Sequence, residues 1–514
     1  MHPNLRRLTK IFLLLWMCLW LGAMPTVRAA QAAAGTSSVS IVIDGDAPAH
    51  PFPHFWEQMF GSGRAILSLR ADYRRDLREV KRATGFHYIR FHGILDRGVG
   101  LYHVNAQGKP FYNYSYVDEI YDGLLKQGIR PFVELSFMPP ALASTPARQG
   151  FWYHPYVSPP KSWSAWSQMI EHLARHLVNR YGLAEVSRWY FEVWNEPNIG
   201  FWAGVPKKST YFHLYDVTAR ALKAVSPRLR VGGPATAQAA WVGSFIRHCV
   251  NHHVPLDFIS THVYGNDSAE NVFHKNATIS RRDMVVRAVE KVHEEVKASP
   301  RPDLPIIFSE YNASYSNEVE VTDSSFMGPW LAHTISHCDG LVNIMSYWTF
   351  SDVFEEQGVV KTPFYGGFGL IAVGNIRKAS YNDFRLLHKL GTERLEENSP
   401  SVLVTRRANG ELAMAVWNYA PPGPGGHVKT FALSFRHVPG AKRAVIWVVD
   451  RHHGSPLATW EAMGRPSFPS FAERKILQQA GQLPPPKIVP LAAEHPQLTL
   501  TLIPHALALI EVEN

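Results

Sequence analysis

Cysteine is scarce: there are three in a chain of 514 residues, and Cys18 lies in an N-terminal apolar run. A disulfide scaffold is excluded, and a chain this long buries a sizeable core without one. Charged residues make up only 18% of the total. No Lys/Arg cluster is dense enough for a nucleic-acid footprint, which excludes that class. Low-complexity segments and internal repeats are absent. The turn Gly61-Ser62-Gly63 is too short for the G-x-G-x-x-G phosphate cradle, and no G-x-S-x-G elbow stands in a strand–turn–helix setting. Metal motifs are missing too. His172 and His176 are spaced i, i+4, but Leu173 stands where H-E-x-x-H needs its glutamate. No cofactor and no metal are therefore expected. What is present is a globular composition, 46% hydrophobic and 12% aromatic, with 15 Trp.

The first thirty residues stand apart. Arg6, Arg7 and Lys10 precede the apolar run Ile11–Met24, and the small-residue site Val27-Arg28-Ala29-Ala30 follows. This is the three-part pattern of a cleaved secretory signal over residues 1–29. The run of 14 residues is short against the roughly 20 that a bilayer span needs; an uncleaved anchor is the alternative. No later stretch is long and apolar enough to span, so the mature chain is expected to be soluble, off the membrane, and secreted or periplasmic. Cleavage removes Arg6, Arg7, Lys10 and Arg28 and takes the net charge from +9 to +5. It leaves Cys249 and Cys338, each in a helical pattern, read as two buried free thiols with a single disulfide as the alternative. N-x-S/T sequons occur at Asn113, Asn266, Asn276 and Asn312. A glycan on Asn312 would block the candidate active site described next, which points to a bacterial host.

Between residues 51 and 392, short β-branched and aromatic runs alternate with segments of 3.6-residue periodicity. Strands are predicted at Trp56–Gly61, Tyr88–His92, Arg130–Leu135, Trp189–Trp194, Leu229–Gly232, Phe258–His262, Pro305–Ser309 and Val342–Trp348. A helix is predicted after each. Eight strand–helix pairs predict the α/β class and a (β/α)8 TIM barrel with insertions. From 393 to 514 short strands separated by turns, Pro421–Gly426 among them, predict a C-terminal β-sandwich. Val39–Ile43, within an N-terminal segment 39–50, alternates like a further strand of that sandwich.

Such a barrel keeps its active site at the C-terminal ends of its strands, and two strand ends carry a glutamate. The fourth ends Phe191-Glu192-Val193-Trp194-Asn195-Glu196-Pro197, with Glu196 where the apolar strand opens and Pro197 stopping it. The seventh ends Ile306-Ile307-Phe308-Ser309-Glu310-Tyr311. A single glutamate of this kind is usually a surface ion pair. Two of them, three strands apart and set among aromatics and amides, suit glycoside hydrolysis, which needs one protonated and one ionised carboxyl.

Trp194-Asn195-Glu196-Pro197 resembles the W-N-E-P signature of the large clan of retaining glycosidases built on (β/α)8 barrels. More specifically, the chain resembles glycoside hydrolase family 39 and its β-xylosidase branch. The stretches that carry the likeness are Tyr88–Gly93, Gly128–Glu134, Phe191–Asn198, Ser309–Tyr315, Tyr347–Glu356 and Gly366–Ile371, with Val404–Arg407 and Trp460–Gly464 extending it into the sandwich. The resemblance implies an exo-acting β-xylosidase that releases xylose from xylo-oligosaccharides by double displacement, with Glu196 as acid/base and Glu310 as nucleophile. It implies that Asn195 binds the sugar 2-hydroxyl, that His92 and His262 contact the sugar and that Tyr264 bonds the nucleophile. It further implies that Trp348 forms an apolar floor and that Glu355 or Glu356, the latter favoured, meets ring hydroxyls. Phe201 and Trp202 are either leaving-group platforms or rim packing. The sixth-strand motif Thr261-His262-Val263-Tyr264 holds no cation, which favours a neutral sugar. Arg97 stands where xylosidase relatives tend to carry an acid, so it either recognises an acidic decoration or lies on the surface. A homo-oligomer is a family-level expectation. An endo-acting hydrolase of a bacterial exopolysaccharide and a non-catalytic carbohydrate-binding protein stay open as alternatives.

Overall fold

The structure, a computed structural model, describes residues 37–513; the segment read as a signal, 1–29, lies outside them. Eight parallel strands close into a barrel: β1 (Met59–Gly61), β2 (Tyr88–Phe91), β3 (Arg130–Glu134), β4 (Tyr190–Glu192), β5 (Arg230–Thr236), β6 (Phe258–Tyr264), β7 (Ile306–Asn312) and β8 (Ile344–Tyr347). Met59, Phe132, Phe258, Ile307 and Ile344 form a separate apolar plug near the N-terminal strand ends. The barrel interior is therefore filled with side chains at one end, and polar chemistry is confined to the other.

The helices follow from their apolar spacing. Ala71–Thr84 buries Tyr73, Leu77 and Val80 on one face and stops at Gly85, whose φ of +68° is a left-handed turn that glycine takes without cost. Trp163–Tyr181 begins where Ser162 accepts the Ala165 N–H (3.2 Å), and Arg281–Lys297 where Ser280 accepts that of Asp283 (3.3 Å); such caps each stabilise by about 1 kcal/mol.

The later strands form two sheets. Ser37–Asp44 runs parallel to Lys429–Arg436, which pairs with Gln497–Leu502. A seven-stranded sheet contains Val402–Arg406, Leu412–Asn418, Ala506–Glu513 and Arg443–Val449 in its interior. Between the sheets lies a second apolar core that includes Ile43, Val404, Phe431, Leu500 and Ile510. Helices Met327–Cys338 and Ala379–Leu387 rest on the seven-stranded sheet, and Trp417, Leu507 and Leu509 join the barrel's own core.

The sequence reading misses Ala49–Pro51, Glu393–Leu395, Lys487–Pro490 and the hairpin Tyr102–Val104 with Pro110–Tyr112. These are short, several contain proline, and most of their residues face solvent, so no hydrophobic period marks them. The fourth strand is shorter than predicted because Trp194 leaves the ladder at φ +74°. The sixth and seventh run longer, carrying Tyr264 and Glu310 within the ladder. Cys249 and Cys338 are buried free thiols, so they do not pair. No helix among the described residues is long and apolar enough to cross a membrane.

Candidate active site

Strand register gathers the ionisable groups. A shift between Thr261 and His262 aligns His262 with Glu310, and β3 and β4 set Glu134 beside Glu192. Arg90, wholly buried on β2, lies at the centre. Its Nε donates to Glu192 Oε2 (2.6 Å), Nη1 to Glu310 Oε1 (2.6 Å) and Nη2 to Asn195 Oδ1 (2.9 Å), while Nη2 also stands 2.8 Å from Glu134 Oε2. Burial works against its charge, but Glu192, Glu134 and Glu310 outweigh burial and raise its pKa further. Only a guanidinium offers a planar fork of donors for so many acceptors.

Glu196 sits on a contorted turn. Its φ is +43°, uncommon outside glycine, and its N–H donates to Ala235 O (2.8 Å). Trp194 Nε1 bonds Phe201 O (2.7 Å) and pins the same turn. Glu310 is held at both oxygens, Oε1 by Arg90 and Oε2 by the Tyr264 hydroxyl (2.5 Å). One oxygen of Glu196, one of Glu310 and a nitrogen of His262 lie within 4.8 Å of one another. Burial, then the charges of Glu310 and Asp267, push the Glu196 carboxyl well above the usual carboxylate range.

The hydrogen-bond network beneath the pair holds Glu196 in place. His262 is wholly buried; burial, then Arg90, holds its pKa well below the usual histidine value, so the ring is neutral. Ser309 Oγ donates to Glu192 Oε1 (2.6 Å) and stands 3.1 Å from His262 Nε2. Arg90 Nη2, which donates to Asn195, also approaches the same His262 Nε2 at 3.4 Å. His262 Nδ1 stands at hydrogen-bond distance from Glu196 Oε1 (3.1 Å) and holds that carboxyl in place.

A cavity of about 280 Å³ opens over the pair, walled by His92, Asn195, Tyr264, Trp348 and Glu356 among others. Asn195 Oδ1 is committed to Arg90, so its amide nitrogen is the group left for a ligand. His92 bonds Glu134 through Nδ1 (2.7 Å) and turns Nε2 toward Glu356 Oε1 (3.4 Å). Burial, against the pull of His92, pushes the Glu356 carboxyl up to about 8, and its Oε1 has no partner among the described residues. Trp348 packs against His92 with ring centroids 4.8 Å apart. Phe201 also lines the cavity, whereas Trp202 is core, edge-on to Trp194 at 5.0 Å with Nε1 on Thr210 Oγ1 (3.0 Å).

Two expectations need correction. His262 does not reach the cavity wall; it lies beneath the carboxylates and positions Glu196. Glu355 turns away at φ +66° to pair with Arg70 (2.5 Å) and Arg64 (3.5 Å), which draw it to the outside. Arg97 is exposed, donates to Tyr153 O (3.0 Å) and stands outside the cavity wall. His172 and His176 stack on Tyr112 and Tyr114, and His176 bonds Asp118 (2.6 Å). The sequence reading gave no role to Arg90, Glu134, Glu192, Ser309, Gln238 or Asp267. For the first three the signal was available, a charge within an apolar strand at Arg90 and at the end of one at Glu134 and Glu192.

His54, Glu57 and His388 also bring donor atoms within 4.8 Å. Both histidines stand at hydrogen-bond distance from Glu57 Oε1, 2.6 and 2.8 Å, closer than the roughly 3.3 Å between ligands on a tetrahedral zinc. A larger cleft of about 880 Å³ separates helix Arg281–Lys297 from Trp417 and Tyr419, but its wall holds no buried carboxylate pair.

The family model for Glycosyl hydrolases family 39 matches residues 39–493. A β-xylosidase of Geobacillus stearothermophilus is 38% identical over 442 residues, 84% of this chain and 86% of the relative. One of Caldicellulosiruptor saccharolyticus is 36% identical over 474 residues, covering 90% and 95%. Among solved structures, a monomeric β-xylosidase from Caulobacter crescentus CB15 superposes with a TM-score of 0.84 at 33% identity, covering 92% and 99%. A closed barrel with two carboxyl groups converging at its rim, matched over nearly the whole chain, makes the protein a glycosidase, and it belongs to glycosyl hydrolase family 39.

Proposed function

We propose that the protein is a retaining, exo-acting β-xylosidase in which Glu310 is the nucleophile and Glu196 the acid/base. The observation that carries this reading is the pair itself: two carboxyl groups with oxygens within 4.8 Å, one pushed by burial and Glu310 well above the usual carboxylate range and the other held between Arg90 and Tyr264. Retaining pairs stand about 5–5.5 Å apart, whereas inverting pairs stand roughly 6.5–9.5 Å apart to admit a water.

In the first step Glu310 attacks the anomeric carbon while Glu196 passes its proton to the departing glycosidic oxygen. The Asn195 amide donates to the 2-hydroxyl, and Trp348 lies under the ring. Esterified Glu310 no longer carries charge, so the proton affinity of Glu196 falls. Glu196 then takes a proton from water, which attacks the anomeric carbon and frees Glu310. The product keeps the original anomeric configuration.

The glycone follows from size and charge. A cavity of about 280 Å³ lies at the low end of the roughly 300–1,000 Å³ of small-molecule sites, which suits a single sugar at the chain end. The cation nearest the carboxylates, Arg90, is saturated by its own partners, and Glu356 would repel rather than bind a sugar carboxylate when ionised. A neutral pentose fits, and the two similar bacterial enzymes are β-xylosidases.

The test is a panel of nitrophenyl glycosides offered to the mature protein and to Glu310→Ala, with azide as a rescuing nucleophile. Release from the β-xyloside, lost in the variant and restored by azide as the inverted glycosyl azide, is the expected result. Undiminished activity of Glu310→Ala refutes the assignment. Residues 1–29 are proposed to be a cleaved export signal; N-terminal sequencing of secreted or periplasmic protein should begin after Ala29, and an intact Met1 overturns it.

A further inference from the structure

Beyond Glu196 the cavity wall consists of side chains with no part in the steps above: Gln238, Asp267 and the rim aromatic Tyr315. They are built into the site by the same backbone that holds the catalytic pair. The turn after β6 is closed by reciprocal bonds: Tyr264 N–H donates to Asp267 Oδ2 (2.8 Å), and Asp267 N–H to Tyr264 O (3.0 Å). Asn266 accepts the Tyr315 N–H (3.0 Å) and donates to Ser314 Oγ (3.0 Å), fixing Tyr315 edge-on to Tyr264 at 6.1 Å. On the facing side, Asn198 and Ala237 exchange two hydrogen bonds of 2.9 and 3.0 Å. These clamp the Glu196 turn to the segment that carries Gln238.

That segment is strained. Ala235, Gln238 and Ala239 take φ values of +53°, +62° and +49°, and non-glycine residues held in this region cluster at functional sites. The strain delivers Gln238 to the cavity wall that Asp267 also lines, and its amide lowers the Asp267 pKa against the effect of burial. Asp267 is 8% exposed. A carboxylate offers about four acceptor sites, and the Tyr264 N–H occupies one of them and leaves the others open. A purely structural role in such a place would be served by an uncharged amide, without the cost of burying charge.

Resting on the function proposed above, we infer that Asp267, oriented by Gln238, determines leaving-group specificity by accepting a hydroxyl of the departing sugar. Glu196 delivers its proton to the glycosidic oxygen, so the part of the cavity wall next to Glu196 faces the leaving group. Tyr315, 54% exposed, offers that second sugar a ring to lie against. Asp267 also belongs to the charges that govern the acid: Glu196 is faced by Glu310, Asp267 and Glu356, which favour its proton, by Arg90, which opposes it, and by neutral His262. Burial pushes the Asp267 carboxyl itself up to about 6, leaving it mostly ionised at neutral pH.

The experiment compares xylobiose with methyl β-xyloside, whose leaving group needs the same proton but offers no hydroxyl to bind. The readout is the ratio of the two kcat/KM values for wild type, Asp267→Asn, Asp267→Ala and Gln238→Ala. Loss of a hydrogen bond to a charged group is expected to lower the ratio about 10- to 100-fold in Asp267→Ala, with smaller losses in the other two. The alkaline limb of the kcat/KM profile should also move to lower pH in Asp267→Asn. Equal losses on both substrates, or none, overturn the inference while the xylosidase reading stands. A wild-type protein that cleaves neither substrate overturns both.

Discussion

Replacing Gly61 by alanine tests the floor of the cavity from behind. Gly61 ends β1, and a Cβ built there would lie 2.2 Å from Trp348 Cε3 and 2.9 Å from Cζ3. Non-bonded carbons meet at about 3.5–4.0 Å, so the indole must retreat by roughly 1.3 Å or more. It has nowhere neutral to go, because His92 lies 4.8 Å and Phe354 5.8 Å from it, with the Arg90 guanidinium at 5.9 Å. Overpacking of this kind costs about 1–3 kcal/mol of stability, whereas a displacement of about 1 Å in a positioning group can cost on the order of 100-fold in rate. Activity should therefore fall by about two orders of magnitude in a protein that still unfolds cooperatively. The assay is kcat/KM on a β-xyloside alongside thermal unfolding. Trp348→Ala has already lost the floor, so adding Gly61→Ala to it should change little; the two substitutions are coupled. Activity of Gly61→Ala within about threefold of wild type, or fully additive losses in the double variant, would refute the reasoning.

Glu196→Ala should release nitrophenol from an activated xyloside in a burst and then stall, because the second step lacks its base; azide should restore turnover, and a steady rate without a burst contradicts the role. Lys378, wholly buried, stands 2.6 Å from both Asp323 and Asp352, which in turn accept the Gly366 and Gly369 N–H groups (2.6 and 2.7 Å). Lys378→Met leaves two buried carboxylates unpaired and should cost about 3–5 kcal/mol by urea unfolding; a loss below about 1 kcal/mol contradicts this. His388 has its pKa raised by the hydrogen bond to Glu57 (2.8 Å). Its contribution is present below the ordinary histidine value of about 6.5 and disappears as pH rises through the raised folded value. The urea midpoints of wild type and His388→Asn should accordingly differ near pH 6 and converge near pH 9; the opposite trend sinks the assignment.

The barrel was legible because β-branched runs and helical periodicity survive in the sequence, and helix Trp163–Tyr181 falls where its apolar spacing puts it. Glu196 and Glu310 were legible because each stands just past an apolar run. What the sequence hid is three-dimensional. Glu355 and Glu356 are neighbours with the same chemistry, and only the backbone turn at Glu355 sends one to Arg70 and the other into the cavity. His262 follows two residues before Tyr264 on β6, so a strand pattern predicts the same face for both. The register shift after Thr261 and the ring's own bonds set His262 beneath Glu196. Asp267 lies in a polar turn that has no period to read, and its place beside Gln238 depends on a segment 29 residues earlier in the chain.

The division of labour proposed for the two glutamates follows from a charge count around Arg90. Its single positive charge faces Glu134, Glu192 and Glu310, and even with a proton on His92 beside Glu134 these three carboxylates outnumber the cations before Glu196 is considered. A fourth carboxylate charge, buried and within 4.8 Å of Glu310, is the one the site cannot accommodate, and Glu196 holds its proton. Glu134 and Glu192 are needed for this as much as Arg90 is. Were Glu310 the guanidinium's sole partner, the ion pair would hold the nucleophile's electrons back and relieve the pressure on Glu196 at once. Shared among three acceptors, the guanidinium orients Glu310 without neutralising it. When Glu310 enters the covalent intermediate the count drops by one, and Glu196 can then ionise and accept the proton of water. The switch from acid to base thus needs no movement of the protein, only the loss of one charge that the buried cluster has been arranged to feel.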